Sequence, residues 1–223
     1  EAEYNEMTGQ LLAGAPELEG VLVGVVEVAN APIFFPATAL LPAVPANPAF
    51  AGFQAATGYN PTDTAGQQIP LTVDVNCTGS SALVSFRLAS QIALYRANPA
   101  ATGAHPPHVA CGTPATGYPA PVGEIFILTA AEQTALENAV TAYNAFIADK
   151  ASDLGWGYVN PNVLLDSLRT AGQIPVFPNL ASGTATFGSW VSLDGVHPSS
   201  QAHRAITNHL IDEINATYNT SLA

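Results

Sequence analysis

The valine-rich run Gly20-Val21-Leu22-Val23-Gly24-Val25-Val26-Glu27-Val28 constrains the fold more than any other stretch of this chain. A run this short and this apolar suits a strand covered on both faces, the environment of a central strand in a parallel sheet. Residues 1–13 precede it, with Tyr4, Met7, Leu11 and Leu12 at the spacing of an amphipathic helix. Helix followed by buried strand is one half of a doubly wound unit, so the expected fold class is α/β.

The C-terminal half repeats this alternation. Trp156-Gly157-Tyr158-Val159-Asn160 reads as a second parallel strand. Thr129-Ala130-Ala131-Glu132 spells a capping box, in which the threonine accepts the third amide and the glutamate reaches back. The helix it starts carries Leu136, Val140, Tyr143, Phe146 and Ile147 on one stripe to about Lys150. Residues 161–171 read as a short helix stopped by Gly172, and Ser199 or Ser200 caps a last helix with Ala202, Ile206, Leu210 and Ile214 inward. Residues 82–95 read as a helix and 124–128 as a short strand. Pro, Ala, Gly, Asn and Thr dominate much of 31–121, which is therefore expected to be a largely irregular insertion with one helix. Two central strands do not make a stable doubly wound sheet. The first strands are accordingly expected upstream of Glu1, and 1–223 is read as the C-terminal portion of one domain.

Charge narrows the function classes. The net charge is −12, from 17 acidic residues against five basic ones, and Arg87, Arg96, Lys150, Arg169 and Arg204 are scattered. Phosphate-backbone binding needs clustered cations, so neither nucleic acid nor an anionic membrane surface is the expected partner. No apolar run approaches the roughly 20 residues that span a bilayer, and a transmembrane chain is not expected. Scarce lysine beside abundant Ala, Pro, Gly, Thr and Asn fits an exported bacterial protein, secreted or periplasmic. Cys77 and Cys111 each sit in a Gly-containing loop, as a disulfide or as two buried thiols. The disulfide is the favoured reading, and it goes with an oxidising compartment.

The chemistry concentrates in Ser192-Leu193-Asp194-Gly195-Val196-His197-Pro198-Ser199. One Gly/Pro turn there presents a carboxylate and an imidazole three residues apart, just before the last helix. That is the arrangement in which an aspartate orients a histidine and the histidine deprotonates a serine. The competing reading is a plain turn, with Asp194 capping the helix and His197 satisfied locally. A position after an α/β segment favours a site, since open sheets place their sites at such loops.

This block, followed by Ile211-Asp212-Glu213-Ile214-Asn215, resembles the last conserved block of the SGNH (GDSL-type) hydrolases. Pro32-Ile33-Phe34-Phe35, Pro121-Val122-Gly123-Glu124-Ile125-Phe126-Ile127-Leu128-Thr129 and Phe177-Pro178-Asn179-Leu180 are similar to a bacterial, secreted branch of that superfamily. The resemblance implies a flavodoxin-like three-layer α/β/α fold and hydrolysis of a carboxylic ester, with a lipid, an acyl ester or an acetylated glycan as substrate. His197 would be the general base and Asp194 its orienting carboxylate, with no metal or organic cofactor. It also implies a serine in Gly-Asp-Ser, an oxyanion-hole Gly and an Asn in Gly-x-Asn, all of which the family places before the helix read over residues 1–13. They are expected on an N-terminal segment, in the same precursor or on a separate chain, which would be the essential partner. Ser189, Ser192 and Ser199 lie near the dyad, but none stands in a strand–turn–helix elbow. The rival from another class is a non-catalytic SGNH-like binding or structural module.

Several residues remain to be placed. Phe34 and Phe35, with Phe50, Phe53 and Val196, are candidate walls of a substrate cleft; the phenylalanines would otherwise simply pack the insertion. His105-Pro106-Pro107-His108 reads as a surface loop, and His203 and His209 as helix-surface residues.

Overall fold

A computed structural model describes residues 1–40, 55–56, 58–59, 71–98, 100, 107–112, 127–176, 178–179 and 182–223. In chain order its elements are α1 (Ala2–Gly14), β1 (Val21–Val23), β2 (Phe34–Pro36), β3 (Ala55–Ala56), β4 (Gly58–Tyr59), β5 (Thr72–Val73), β6 (Leu83–Ser85), α2 (Arg87–Ala97), β7 (His108–Val109), β8 (Ile127–Leu128), α3 (Ala130–Leu154), β9 (Gly157–Val159), α4 (Pro161–Thr170) and α5 (Ser200–Tyr218). The chain is therefore mixed α/β. The strands form a parallel pair β1-β9, an antiparallel sheet β2-β6-β8, and a four-stranded sheet β3-β4-β5-β7.

The parallel pair sits between two helices. β1 and β9 run in register from Val21↔Gly157 to Val23↔Val159. Leu22 packs on Ile147 and Ala151 of α3, with Tyr4, Phe146, Trp156 and Tyr158 around them. Side chains alternate along a strand, so Gly157 faces the other way, toward α5. A Cβ there would come within 2.8 Å of Glu213 Cγ and 3.0 Å of Thr217 Oγ1. Glycine is what lets α5 close onto the strand, and Glu213 Oε1 accepts the Tyr158 amide at 3.1 Å.

The valine-rich run is less buried than its composition suggests. β1 ends at Val23, and Val23, Val25, Val26 and Val28 are all exposed. Beyond β1, side-chain amides hold its backbone in place of a second neighbouring strand. Asn144 of α3 accepts the Val25 N–H at 2.6 Å and donates to the Val25 carbonyl at 3.0 Å. Asn162 of α4 donates to the same carbonyl at 3.0 Å and accepts the Glu27 N–H at 2.7 Å. In α1 the expected apolar stripe also splits. Tyr4 meets Phe146 edge to face, whereas Met7 and Leu11 face solvent and Thr8 is buried instead.

The described residues of segment 31–121 include β2 to β7 and α2. They supply most of the larger buried cluster, with Phe35, Leu40, Leu71, Val73, Val84, Leu88 and Val109. The helix expected over 82–95 begins only at Arg87, because Leu83–Ser85 is the central strand β6, paired with β2 and β8. A three-residue apolar run has too little length to separate the two periodicities. Of the strand expected at 124–128, Ile127–Leu128 lies within the described residues and is β8.

The helix signals hold closely. Thr129 and Glu132 make the reciprocal capping box, and α3 runs to Gly155 in the left-handed region. Asn160 caps α4, with Pro161 in its first turn, and Ser199 caps α5. The Cys77 and Cys111 sulfurs stand at disulfide distance across a separation of 34 residues. In the chain-entropy model closing such a loop contributes about 3–4 kcal/mol. The double variant C77A/C111A is expected to lose that amount in urea unfolding. A loss below about 1 kcal/mol would show that the bridge does not constrain the unfolded chain.

Candidate active site

After α4 the chain runs through residues 171–199 before α5 begins, and within it a closed loop is pinned at its base. Val191 and Pro198 form an antiparallel bridge, the Ser199 amide donates to the Trp190 carbonyl at 3.0 Å, and the Ser192 amide donates to the His197 carbonyl at 2.8 Å. Gly195 turns the tip with φ +75°, where a side chain would be strained. A Cβ at Gly195 would also meet the Phe187 ring at 2.8 Å and the Ile33 Cα at 3.1 Å. Instead the bare backbone docks, and the Gly195 carbonyl accepts the Ile33 N–H at 2.9 Å. Phe187, itself buried, meets Phe86 edge to face at 5.5 Å.

This frame presents the two expected residues together. Asp194 Oδ2 bonds His197 Nδ1 at 2.5 Å. Asp194 Oδ1 accepts the Ser192 hydroxyl at 2.5 Å and the Val196 and His197 amides at 2.9 Å each. One carboxylate oxygen thus holds the turn while the other holds the imidazole. The Ser192 hydroxyl, then the His197 ring and the two amides, keep the Asp194 carboxyl far below the usual carboxylate range. An ionised Asp194 can only accept, so His197 Nδ1 donates to it. The histidine side chain is 75% exposed, and Nε2 has no hydrogen-bond partner among the described residues. The geometry thus orients the imidazole through Nδ1 and leaves Nε2 facing away from its one partner.

No serine of the chain completes the set. Every serine lies among the described residues, and none bonds His197 Nε2. Ser192 is committed to Asp194, while Ser199 donates to the Ser189 carbonyl at 2.6 Å and accepts the Ala202 amide at 3.3 Å as the helix cap. The cap of α5 is therefore Ser199 and not Asp194.

Beside the dyad lies an apolar cavity of about 130 Å³. Val196 and Pro198, the neighbours of His197 on either side, form one wall with Trp190, and Leu164, Leu165 and Leu168 of α4 form another. Val196 thus lines this cavity. Phe34 and Phe35 do not: Phe34 is half-buried opposite Ser85 in the antiparallel sheet, and Phe35 is 3% exposed in the core. Phe50 and Phe53 lie outside the described residues. The leucine wall was missed from the sequence, although its i, i+1, i+4 spacing on a short helix is a signal for it.

The histidines elsewhere divide. His108 is not a surface residue: it is 3% exposed in β7, with Nε2 3.7 Å from Asp74 Oδ2. Burial pushes its pKa down, and the Asp74 charge opposes that shift. It is buried because β7 pairs in parallel with β5, Thr72 opposite His108. His105 lies outside the described residues, and His203 and His209 are exposed on α5. Among the described residues no three His, Cys, Asp or Glu side chains converge as metal ligands, and no helix is long and apolar enough to cross a membrane.

Two outcomes follow from this geometry. Asp194 is expected to remain ionised at about pH 3 in a carboxyl-detected NMR titration, where an ordinary aspartate of pKa about 3.9 is mostly protonated. Because its folded pKa is depressed, its contribution to stability is present above the unfolded value and lost as the pH falls; a midpoint shared with the exposed aspartates would refute the network. Gly195→Ala is expected to cost on the order of 2 kcal/mol, from the left-handed backbone and the displaced Phe187 and Ile33. Urea unfolding tests this, and an unchanged midpoint would show that the loop does not need that close approach. No protein-family model, curated protein or solved structure matches this chain.

Proposed function

We propose that this chain supplies the Asp–His half of a serine ester hydrolase of the SGNH type, acting on carboxylic esters. One observation carries the reading: the Asp194–His197 bond fixes the imidazole on a pinned loop and leaves Nε2 open. A loop built only to turn the chain would need one carboxylate oxygen for its amides, and it would have no use for the second bond to an exposed imidazole.

In the proposed reaction His197 Nε2 takes the proton of a serine hydroxyl as the serine attacks the ester carbonyl. It then returns that proton to the leaving alcohol, and repeats the cycle with water to release the acid. Asp194 keeps the tautomer and stabilises the imidazolium. The serine and the oxyanion donors come from a segment outside these 223 residues, in the same precursor or on a separate chain. In the proposed flavodoxin-like sheet the β1-β9 pair is extended by strands of that segment. The parallel pair held between α3 and α5, with the dyad loop following β9, supports this layout. The Cys77–Cys111 bridge supports an extracytoplasmic site of action.

Fluorophosphonate labelling of the protein purified from its native source, read by peptide mass spectrometry, tests the proposal. A serine outside residues 1–223 is expected to be labelled, and His197→Ala is expected to slow labelling by at least about 10³-fold. Labelling of a serine within the chain would relocate the nucleophile, and no labelled serine at all would overturn the esterase reading.

A further inference from the structure

We infer that the cavity beside His197 is an acyl pocket, and that it takes straight chains of about four to six carbons. The inference rests on the ester hydrolase reading and adds to it a choice of substrate. Val196 and Pro198 flank His197 in the sequence and both line the cavity, so the cavity borders the loop that carries the dyad. Every residue lining it is apolar. A sugar placed there would leave its hydroxyls without partners, at a cost that a hydrocarbon chain does not meet. The walls are also accessible, since Val196 is exposed and Trp190, Leu164, Leu165 and Ile206 are each only half-buried.

Size then sets the chain length. An apolar protein cavity of about 150 Å³ accommodates benzene, with its six carbons. At about 130 Å³ this one holds a comparable or slightly smaller hydrocarbon. A longer chain would have to leave carbons in water, so each methylene beyond the limit would add nothing.

Titration of the chain with 1-alkanols from propanol to octanol, read by methyl NMR of Ile, Leu and Val, tests the pocket without requiring turnover. Shifts are expected at Val196, Leu164, Leu165 and Ile206. Binding should tighten about fourfold per added methylene, the equivalent of about 0.8 kcal/mol, up to about hexanol and then level off. Leu165→Trp should abolish these shifts by filling the space. Leu164→Ala should move the plateau outward by about two carbons, so a misfolded tryptophan variant would not leave the question open. Tightening that continues unbroken to octanol, or shifts centred away from these methyls, would overturn the pocket. A labelled serine with no alkanol plateau overturns the pocket alone. A plateau without any labelled serine overturns the ester hydrolase reading, and the acyl assignment with it.

Discussion

The peptide unit of Ile33 ties the two halves of this structure together. Its N–H donates to the Gly195 carbonyl at 2.9 Å, and its C=O accepts the Phe86 N–H at 2.7 Å. One residue therefore joins the dyad loop to the start of α2 and the end of β6. The joint lies over the edge-to-face pair Phe86–Phe187, with Phe187 2% exposed. A dyad on a free loop would sample many imidazole orientations. Here the loop backbone is fixed from three sides, by the Val191–Pro198 bridge, by Ile33 and by Phe187. That leaves the exposed His197 ring with one strong partner, Asp194, to set its direction.

A second device serves the other side of the site. β1 has a single strand partner, β9, among the described residues. Asn144 and Asn162, from two different helices, make up the missing hydrogen bonds to Val25 and Glu27. Buried or half-buried side-chain amides suit this task because each carries both a donor and an acceptor. They bring α3 and α4 into fixed relation with β1, and α4 carries the leucine wall of the cavity. The disulfide and the buried His108–Asp74 pair stabilise the separate sheet of β5 and β7. They lie outside the dyad and the cavity beside it.

Much of the site was legible from residue order. Asp194 and His197 are three residues apart on a Gly/Pro turn, so local geometry alone brings them within hydrogen-bond reach. Helix starts were legible for the same reason: Thr129 with Glu132, Asn160 with Pro161, and Ser199 act within one turn. What misled was long-range. Leu83–Ser85 has a helix-compatible sequence but lies between two strands from distant parts of the chain. His108 follows two prolines, as surface loops often do, and is buried because a strand 36 positions earlier pairs with it. Phe35 carries the same side chain as Phe34, and only sheet register sends one into the core.

The sequence by itself determined the elements that depend on neighbours a few residues away: capped helices and the Asp–His turn. Tertiary structure alone decided which apolar residues became core and which became cavity wall. Leu164, Leu165 and Val196 come from segments about 30 residues apart, and their convergence depends on how α4 packs against the dyad loop. Burial is a property of the assembled surfaces and not of any local run. The same valines that read as a buried strand can therefore end exposed, and a leucine pair on a short helix can end beside the Asp–His loop.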